Sequence, residues 1–312
     1  MLLQGLKVVE LASIIAGPSC AGILADWGAS VVKVESPTGD RIRALYPDTR
    51  ESPGNPVFTM ENRGKRGVVL DTATGDGRSA LIALLADADI FVTNVRPGAL
   101  KRAGLDYETL KPQLPRLIYA SITGAGLVGP EADLPAFDTT VFWAKSGLAR
   151  TIIPPDQDPY VFRPGIGDHS TALATVAAIL AAVHERHETG RGRLIECSLL
   201  RTAAFAIGMD LSAHLRFGQT PTNLVRDDRP VAMLDFFRTR DEGWICIQPL
   251  GPETFFAMVD LIGRPDLLVD PNFELPITDL VRVRELRGLI DAWFAGLTLE
   301  EAGAALTQAD VA

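Results

Sequence analysis

Short apolar runs rich in Val and Ile alternate with helical segments along the first part of the chain. We predict buried strands in the runs at 6–11, 30–35, 67–71, 90–93 and 116–122. Between them we predict helices at 19–27 and 75–88 and helical turns at 100–103 and 107–111. Because parallel strands need crossover connections, this alternation predicts an α/β fold with a doubly wound, Rossmann-like parallel sheet. Such sheets bind ligands at the carboxyl ends of their strands.

An alanine-rich segment at 172–183 is apolar on nearly every side, which predicts a helix buried in the core. We expect it to be too short to cross a membrane. The residues that lead into it, Gly165-Ile166-Gly167-Asp168, place a carboxylate between flexible glycines at the mouth of the helix. An Asp there is ordinarily an N-cap, but the glycines also allow a ligand to come close, so a functional role stays open.

Beyond this helix the pattern predicts the end of one domain and a second, smaller one. A strand at 194–197 and one long helix at 199–217 complete a large domain that spans 1–217. The polar stretch at 218–230 is typical of a linker. The remaining residues, 231–312, predict a smaller α+β domain with strands and helices at 231–239, 244–248, 253–262, 280–295 and 299–308.

Composition argues against several classes of function. The chain of 312 residues has a net charge of −9 and a pI near 5.0, which argues against nucleic acid as its partner. Its three cysteines, Cys20, Cys197 and Cys246, lie far apart, which is typical of a reducing cytoplasm and argues against a zinc site. We recognise no signal peptide and no long apolar run, so we expect a cytoplasmic protein without a bound metal or a membrane span.

Two further features indicate a crevice for a ligand. Residues 124–129 (GAGLVG) match a dinucleotide-binding glycine pattern, but Pro130 follows where the pattern needs a long helix. A flexible loop over a ligand fits better, with a plain glycine turn as the alternative. Basic residues also cluster beside two predicted strands: Arg63, Lys65, Arg66, Arg96, Lys101 and Arg102. Such clusters fit a polyphosphate ligand, with scattered solvated charges as the alternative.

Several longer stretches carry a resemblance to a known family. They are the opening LKVVELASIIAGPSCAGILADWGASVVKVESPTGD, then ENRGKRGVVLD (61–71), TNVRPGALKRAGLDYETL (93–110), ASITGAGLVGP (120–130), FDTTVFWAKSG (137–147), GDHSTA (167–172), HETGRGRLIECSL (187–199) and FFRTRDEGWICI (236–247). In this order they resemble the class III coenzyme A transferases, the carnitine and bile-acid type, over essentially the whole chain. The last stretch departs from the family's hairpin at Glu242.

The resemblance implies that the chain transfers coenzyme A (CoA) from an acyl-CoA donor to a carboxylic acid acceptor. Acyl-CoA is then a substrate, and no tightly bound cofactor is expected. Asp168 falls on the family's nucleophile, which forms a mixed anhydride and then an aspartyl-CoA thioester. Backbone N–H groups of the glycine loops are the expected stabilisers of the oxyanions. The quoted motifs are closer to members that act on 2-hydroxy, aryl-acyl or carnitine-like acids than to the formyl-CoA transferases.

The same resemblance implies which residues contact CoA. The family's contacts fall on Ile15, Ala16, Leu70, Asn94, Val95 and Arg102, with Phe137 or Asp138 near the acyl group. Some members carry basic residues at the positions of Ser36 and Ala73. Because this chain does not, Lys65 or Arg66 is expected to contact the phosphates instead.

Two alternatives to CoA transfer stay open at this point. The family's racemase branch pairs an aspartate with a histidine, but Phe137 stands where that histidine is expected. A non-catalytic CoA-binding subunit is the other alternative, and the presence of Asp168 argues against it. The resemblance also implies a homodimer of interlocked chains. Members usually continue beyond the position of residue 312 and return to the large domain, and that return appears absent in this sequence.

Overall fold

The computed structural model of the protein describes residues 1–45, 54–219, 223–248 and 251–312. The chain forms two compact units, Met1–Thr222 and Asn223–Ala312. The predicted linker at 218–230 spans the boundary between these units, and its residues 220–222 lie outside the described part of the chain.

Six parallel strands form one sheet in the described part of the first unit. They are β1 (Lys7–Leu11), β2 (Ser30–Glu35), β3 (Arg66–Val69), β4 (Ile90–Thr93), β5 (Ile118–Thr123) and β6 (Leu194–Ser198). Their order across the sheet is β3-β2-β1-β4-β5-β6, which is the doubly wound order, so the predicted α/β fold is confirmed. The order reverses between β1 and β4, and a crevice therefore opens where these two strands end.

Helices cover both faces of this sheet. They are α1 (Ala16–Asp26), α2 (Pro56–Asn62), α3 (Gly75–Ala86), α4 (Pro97–Ala103), α5 (Tyr107–Leu110), α6 (Leu148–Ile152), α7 (Ile166–Thr189), α8 (Leu199–Ala206) and α9 (Gly208–Phe217). Apolar residues of α1 and α7 pack on one face, against strand residues such as Val8 and Val92. Residues of α3, α4 and α5 pack on the other face around Phe91 and Tyr119. Burial of both faces explains why the strands read as continuous apolar runs.

Helix α7 is longer and less buried than the sequence pattern predicts. It runs for 24 residues, twice the predicted core segment, and Leu173 on its outer side is 58% exposed. By its length and apolar composition alone, this helix could cross a bilayer. This is weak evidence for a membrane span, because the core helices of other proteins pass the same test. Its buried side belongs to the same hydrophobic core as α1 and the sheet. The prediction of a helix buried on every side is therefore wrong.

Three segments of the first unit differ from their predictions. The long helix predicted at 199–217 is two helices, α8 and α9, which meet at Ile207. The tract at 41–64, where we predict no helix or strand, contains a 3₁₀ turn at Arg41–Ala44 and helix α2, and its residues 46–53 lie outside the described part. Local capping explains α2, since the Asn55 side chain accepts the Phe58 N–H and Pro56 occupies the first turn. A π-helix at Thr139–Lys145 follows β5, where no helix is predicted either.

The second unit is a smaller α+β body. An antiparallel hairpin of β7 (Asp235–Arg238) and β8 (Trp244–Ile247) accompanies α10 (Pro252–Leu261), α11 (Leu280–Ala295) and α12 (Leu299–Gln308). Phe237 of the hairpin stacks on Phe294 of α11, with ring centroids 5.0 Å apart. The first strand is shorter than predicted, while the bounds of α11 and α12 agree with the prediction.

Candidate active site

A cavity of about 540 Å³ lies where β1, β4 and β5 end, next to the reversal of strand order. Most of its lining comes from the residues after β1, the start of α4 with the residues before it, the chain that follows β5 as far as Phe137, and the start of α7, with Arg41 and Leu199 in addition. The lining residues are Ser13, Ile14, Ile15, Ala16, Arg41, Asn94, Val95, Arg96, Pro97, Ala99, Ile122, Thr123, Gly124, Ala132, Leu134, Pro135, Ala136, Phe137, Asp168 and Leu199. This is the position at which doubly wound sheets bind their ligands.

Asp168 is the acidic residue that lines this cavity in the described part of the chain. It lies in the first turn of α7 and is 9% exposed. The N-cap of α7 is Gly165, in the left-handed conformation with φ 102°, and no side chain caps the helix. The prediction that Asp168 is the N-cap is therefore wrong. Its carboxylate still benefits from the positive end of the helix dipole, which acts within the first turn.

Asp138 holds the glycine loop from which α7 starts. Its Oδ2 accepts the backbone N–H of Gly165 at 2.7 Å and that of Gly167 at 3.3 Å, and the residue is 3% exposed. A Cβ atom at Gly167 would come within 2.6 Å of the Phe142 ring. Gly167 is thus needed for close packing against the π-helix, and Gly165 is needed for its positive φ.

Burial changes the acid–base properties of Asp168. Removal from water raises the pKa of this carboxyl to about 7, and the nearby carboxylates of Asp138 and Glu61 contribute to the increase. His169 acts in the opposite direction and lowers the pKa. At neutral pH a substantial fraction of Asp168 is therefore ionised, while the carboxylate is poorly solvated. Such a group is a stronger nucleophile than an exposed carboxylate.

His169, whose side chain is partly exposed, belongs to a hydrogen-bonded group that the sequence did not reveal. Its Nε2 lies 2.8 Å from Oε1 of Glu61, which is 1% exposed, and Ser19 Oγ on α1 donates to the other carboxylate oxygen. The hydrogen bond to Glu61 raises the pKa of His169 and favours its charged form. Glu61 escaped notice because it lies in a tract without periodicity.

Five of the predicted CoA contacts line the same cavity as Asp168: Ile15, Ala16, Asn94, Val95 and Phe137. Asn94 also fixes the backbone after β1, since its Oδ1 accepts the Ser13 N–H and its Nδ2 donates to Ser13 O. The residues that follow β1 and β4 were expected to meet because the ends of neighbouring parallel strands share one edge of the sheet.

The other predicted contacts do not line the cavity: Leu70, Arg102, Lys65, Arg66 and Asp138. Lys65 is the clearest correction, because its buried ammonium group donates to Glu10, Pro18 O and Asn62. These internal bonds leave it unsuited to bind a phosphate. Arg66 donates to Ser30 Oγ at the sheet edge. The Asp138 carboxylate accepts the backbone N–H groups of Gly165 and Gly167. The cations that do line the cavity are Arg41 and Arg96.

The fold and this cavity define an α/β enzyme with a buried carboxylate at the reversal of its parallel sheet. The model of CoA-transferase family III matches residues 3–312, and the chain belongs to that family. It is therefore a CoA-transferase, as the resemblance in its sequence motifs implied. The expectation of a non-catalytic CoA-binding subunit is not supported.

Similar proteins include two named enzymes and two solved structures. (R)-2-Hydroxy-4-methylpentanoate CoA-transferase of Clostridioides difficile is 35% identical, over 100% of this chain and 78% of its own length. Cinnamoyl-CoA:phenyllactate CoA-transferase of Clostridium sporogenes is 33% identical, over 99% and 77%. A CAIB/BAIF family protein from Brucella suis has a TM-score of 0.84 at 32% identity, over 99% and 82%. Rv3272 from Mycobacterium tuberculosis has a TM-score of 0.86 at 28% identity, over 99% and 82%.

The raised pKa of Asp168 predicts that its charge destabilises the folded protein at alkaline pH. In the unfolded chain the Asp168 carboxyl ionises near pH 3.8, whereas in the folded chain it stays protonated up to a pH of about 7. The free energy of unfolding therefore falls as the pH rises from about 3.8 toward about 7. We expect Asp168→Asn to be more stable than the wild type at pH 8, and the gain to be smaller at pH 5 by an amount on the order of 2 kcal/mol. Urea unfolding at both pH values measures this.

The matched control for this measurement is Asp106→Asn. Asp106 caps α5 and does not line the cavity. Its substitution should change stability without the same dependence on pH. An Asp168→Asn gain that is equal at pH 5 and pH 8 would contradict the raised pKa.

Proposed function

We propose that this chain transfers CoA between an acyl-CoA and an apolar 2-hydroxy or aryl-substituted carboxylic acid, with Asp168 as the nucleophile. One observation carries the proposal: the only carboxylate that lines the cavity in the described residues is buried and has a pKa of about 7. A general base is not needed for this role, because the nucleophile is the ionised carboxylate itself.

The first half of the reaction loads CoA onto the enzyme. A carboxylate oxygen of Asp168 attacks the thioester carbonyl, the carbon–sulfur bond breaks, and CoA leaves as a thiolate. The donor acyl group and the Asp168 carboxyl are then joined as a mixed anhydride. The thiolate then attacks the Asp168 carbonyl of that anhydride and releases the donor acid as a carboxylate. The product is an aspartyl-CoA thioester.

The second half runs the same steps in reverse with the acceptor acid. The acceptor carboxylate attacks the aspartyl-CoA thioester and displaces the thiolate, which forms a second mixed anhydride. The thiolate then attacks the acceptor acyl carbonyl, releases the new acyl-CoA and restores the Asp168 carboxylate. Every step passes through an oxyanion, so donors that are already in place lower each barrier.

The first turn of α1 is better suited to stabilise these oxyanions than the glycine loop that we predicted. The N–H groups of Gly165 and Gly167 already donate to Asp138. Helix α1 starts at the cavity with Ile15 and Ala16, and no side chain caps it. Because the first N–H groups of a helix have no acceptor within the helix, this end supplies donors and a favourable dipole.

The lining of the cavity supports an apolar acid as the acceptor. Aliphatic and aromatic side chains such as Ile14, Leu134 and Phe137 dominate it, and Arg41 and Arg96 add positive charge suited to a carboxylate or phosphate. The two named relatives described above act, by their names, on a branched 2-hydroxy acid and on phenyllactate. Both names fit the substrate class that the quoted motifs suggested.

Replacement of the nucleophile should abolish transfer without loss of fold. We expect Asp168→Ala to reduce the rate of CoA exchange by about 1,000-fold or more, because no other carboxylate among the described residues lines the cavity and could form the acyl intermediates. Mass spectrometry of wild-type protein quenched during turnover should show the mass of CoA added at Asp168, and hydroxylamine should remove it. Asp106→Ala serves as the control, and exchange by Asp168→Ala at the control's rate would refute the assignment.

The substrate class can be tested with a panel of acids in deuterated buffer. We expect branched and aryl 2-hydroxy acids to accept CoA more readily than formate or oxalate, since the cavity is mostly apolar. Mass spectrometry of the acyl-CoA pool gives the relative kcat/KM values. Deuterium at the α-carbon in the absence of an acceptor acid would favour the racemase alternative and contradict CoA transfer as the main reaction.

We also propose that the chain forms a homodimer. Four apolar side chains on α8 and α9 are largely exposed in the single chain: Phe205, Met209, Leu215 and Phe217. Exposed apolar patches of this kind are typical of surfaces that another protein covers.

Light scattering should give a mass of about twice the chain mass of 33.5 kDa, and Phe205→Asp should reduce the measured mass. A monomeric wild type would contradict the proposal. Interlocking of the chains stays a prediction.

A further inference from the structure

A strained residue lies in the cavity wall. Ile14 has a φ of 70°, in the left-handed region that β-branched residues avoid, and it lines the cavity together with Ile15. A residue in this conformation persists only when its surroundings hold it there. The question is which contacts hold Ile14.

Four buried charged residues form a cluster beneath this part of the wall. We call Glu10, Lys33, Asp40 and Lys65 the charge cluster. Lys33 Nζ lies 2.7 Å from Glu10 Oε1 and 3.0 Å from Asp40 Oδ2, and Lys65 Nζ lies 2.7 Å from Glu10 Oε2. All four side chains are at most 2% exposed. Two carboxylates and two ammonium groups thus neutralise each other inside the protein.

The charge cluster bonds directly to the backbone that borders the cavity. Asp40 Oδ1 accepts the Ile14 N–H at 3.0 Å and the Ile42 N–H at 3.1 Å. Lys33 donates to Ala12 O at 3.0 Å, and Lys65 donates to Pro18 O at 2.8 Å. The loop between β1 and α1 is therefore held before, at and after Ile14. Asp40 also caps the 3₁₀ turn whose first residue, Arg41, lines the cavity.

The ionisation of Lys33 supports this arrangement. Burial alone lowers the pKa of Lys33, but Glu10 and Asp40 outweigh it and raise the pKa above its usual value. Lys33 is therefore charged and keeps Asp40 in place. A carboxylate that is paired on one oxygen accepts backbone N–H bonds strongly on the other.

We propose that the charge cluster positions the cavity wall for CoA transfer, with Asp40 as the residue that holds Ile14 in its left-handed conformation. The inference rests on the proposed function, because the wall formed by Ile14, Ile15 and Ala16 is the one that faces the reacting thioester there. Asp40 does not touch the substrate. It is a positioning residue that acts through the backbone of Ile14 and through Arg41. Without it, Ile14 would relax to a negative φ and the start of α1 would move relative to Asp168.

A double-mutant cycle separates this role from a general loss of stability. Asp40→Ala should lower kcat by about tenfold or more, since small misplacements of groups around reacting atoms are costly. In the Ile14→Gly background the same substitution should lower kcat by no more than about threefold, because glycine occupies the left-handed region without strain. Asp40→Asn keeps an acceptor oxygen for Ile14, so its loss of kcat should be smaller than that of Asp40→Ala.

The control substitution is Asp106→Ala, which removes an Asp that accepts the Thr109 N–H at the start of α5, away from the cavity. It should lower the melting temperature and leave kcat unchanged. Equal losses of kcat for Asp40→Ala in both backgrounds would overturn the proposal. If Asp40→Ala does not fold, Ile14→Pro provides a second test, since proline fixes φ near −65° and removes the N–H that Asp40 accepts, while all four residues of the charge cluster stay unchanged. Unchanged kcat in that variant would also overturn it.

A crystal structure of Asp40→Ala gives a readout that does not depend on activity. The proposal expects a negative φ at Ile14 and a shift of the first turn of α1. A positive φ in that variant would show that the charge cluster does not hold Ile14. Failure of the wild type to transfer CoA between any acyl-CoA and acid would instead refute the proposed function, and the φ of Ile14 would still decide whether the cluster holds the loop.

Discussion

The two hydrogen bonds from Gly165 and Gly167 to Asp138 fix the point at which α7 begins, and the position of Asp168 depends on them. The same carboxylate also raises the pKa of Asp168, since two negative charges are held near one another in a poorly solvated place. Asp138 thus positions the proposed nucleophile and makes its ionised form less stable. A reactive carboxylate needs both effects, because an exposed one is too well solvated to attack a thioester efficiently.

Charge is buried in two different ways within the first unit. The charge cluster pairs each carboxylate with an ammonium group, and its bonds to backbone hold the loop after β1. Asp168 faces the cavity near the Asp138 carboxylate. Its negative charge is balanced mainly by His169 and by the N-terminal end of α7. Paired buried charges give rigidity, and an underpaired one gives reactivity.

Much of the large domain was predictable from the order of apolar runs. The bounds of β2 and β4 agree with their predictions because each run is short, β-branched and bordered by polar residues or turns. Helix α2 was missed because its signals are local caps and not a periodic apolar face. The break at Ile207 was missed because the apolar stripe continues across it.

The sequence by itself determined the parallel sheet, the edge at which the cavity lies, the family, and the candidate nucleophile. Apolar periodicity and local motifs are properties of neighbouring residues, so a linear reading recovers them. Only the tertiary structure decided which charged residues face the cavity. Lys65 lies beside a strand end like Arg96, yet its ammonium group is buried against Glu10, while Arg96 lines the cavity. Likewise, no local pattern pairs Glu61 with His169 or Asp40 with Ile14, because these contacts join residues that only folding brings together.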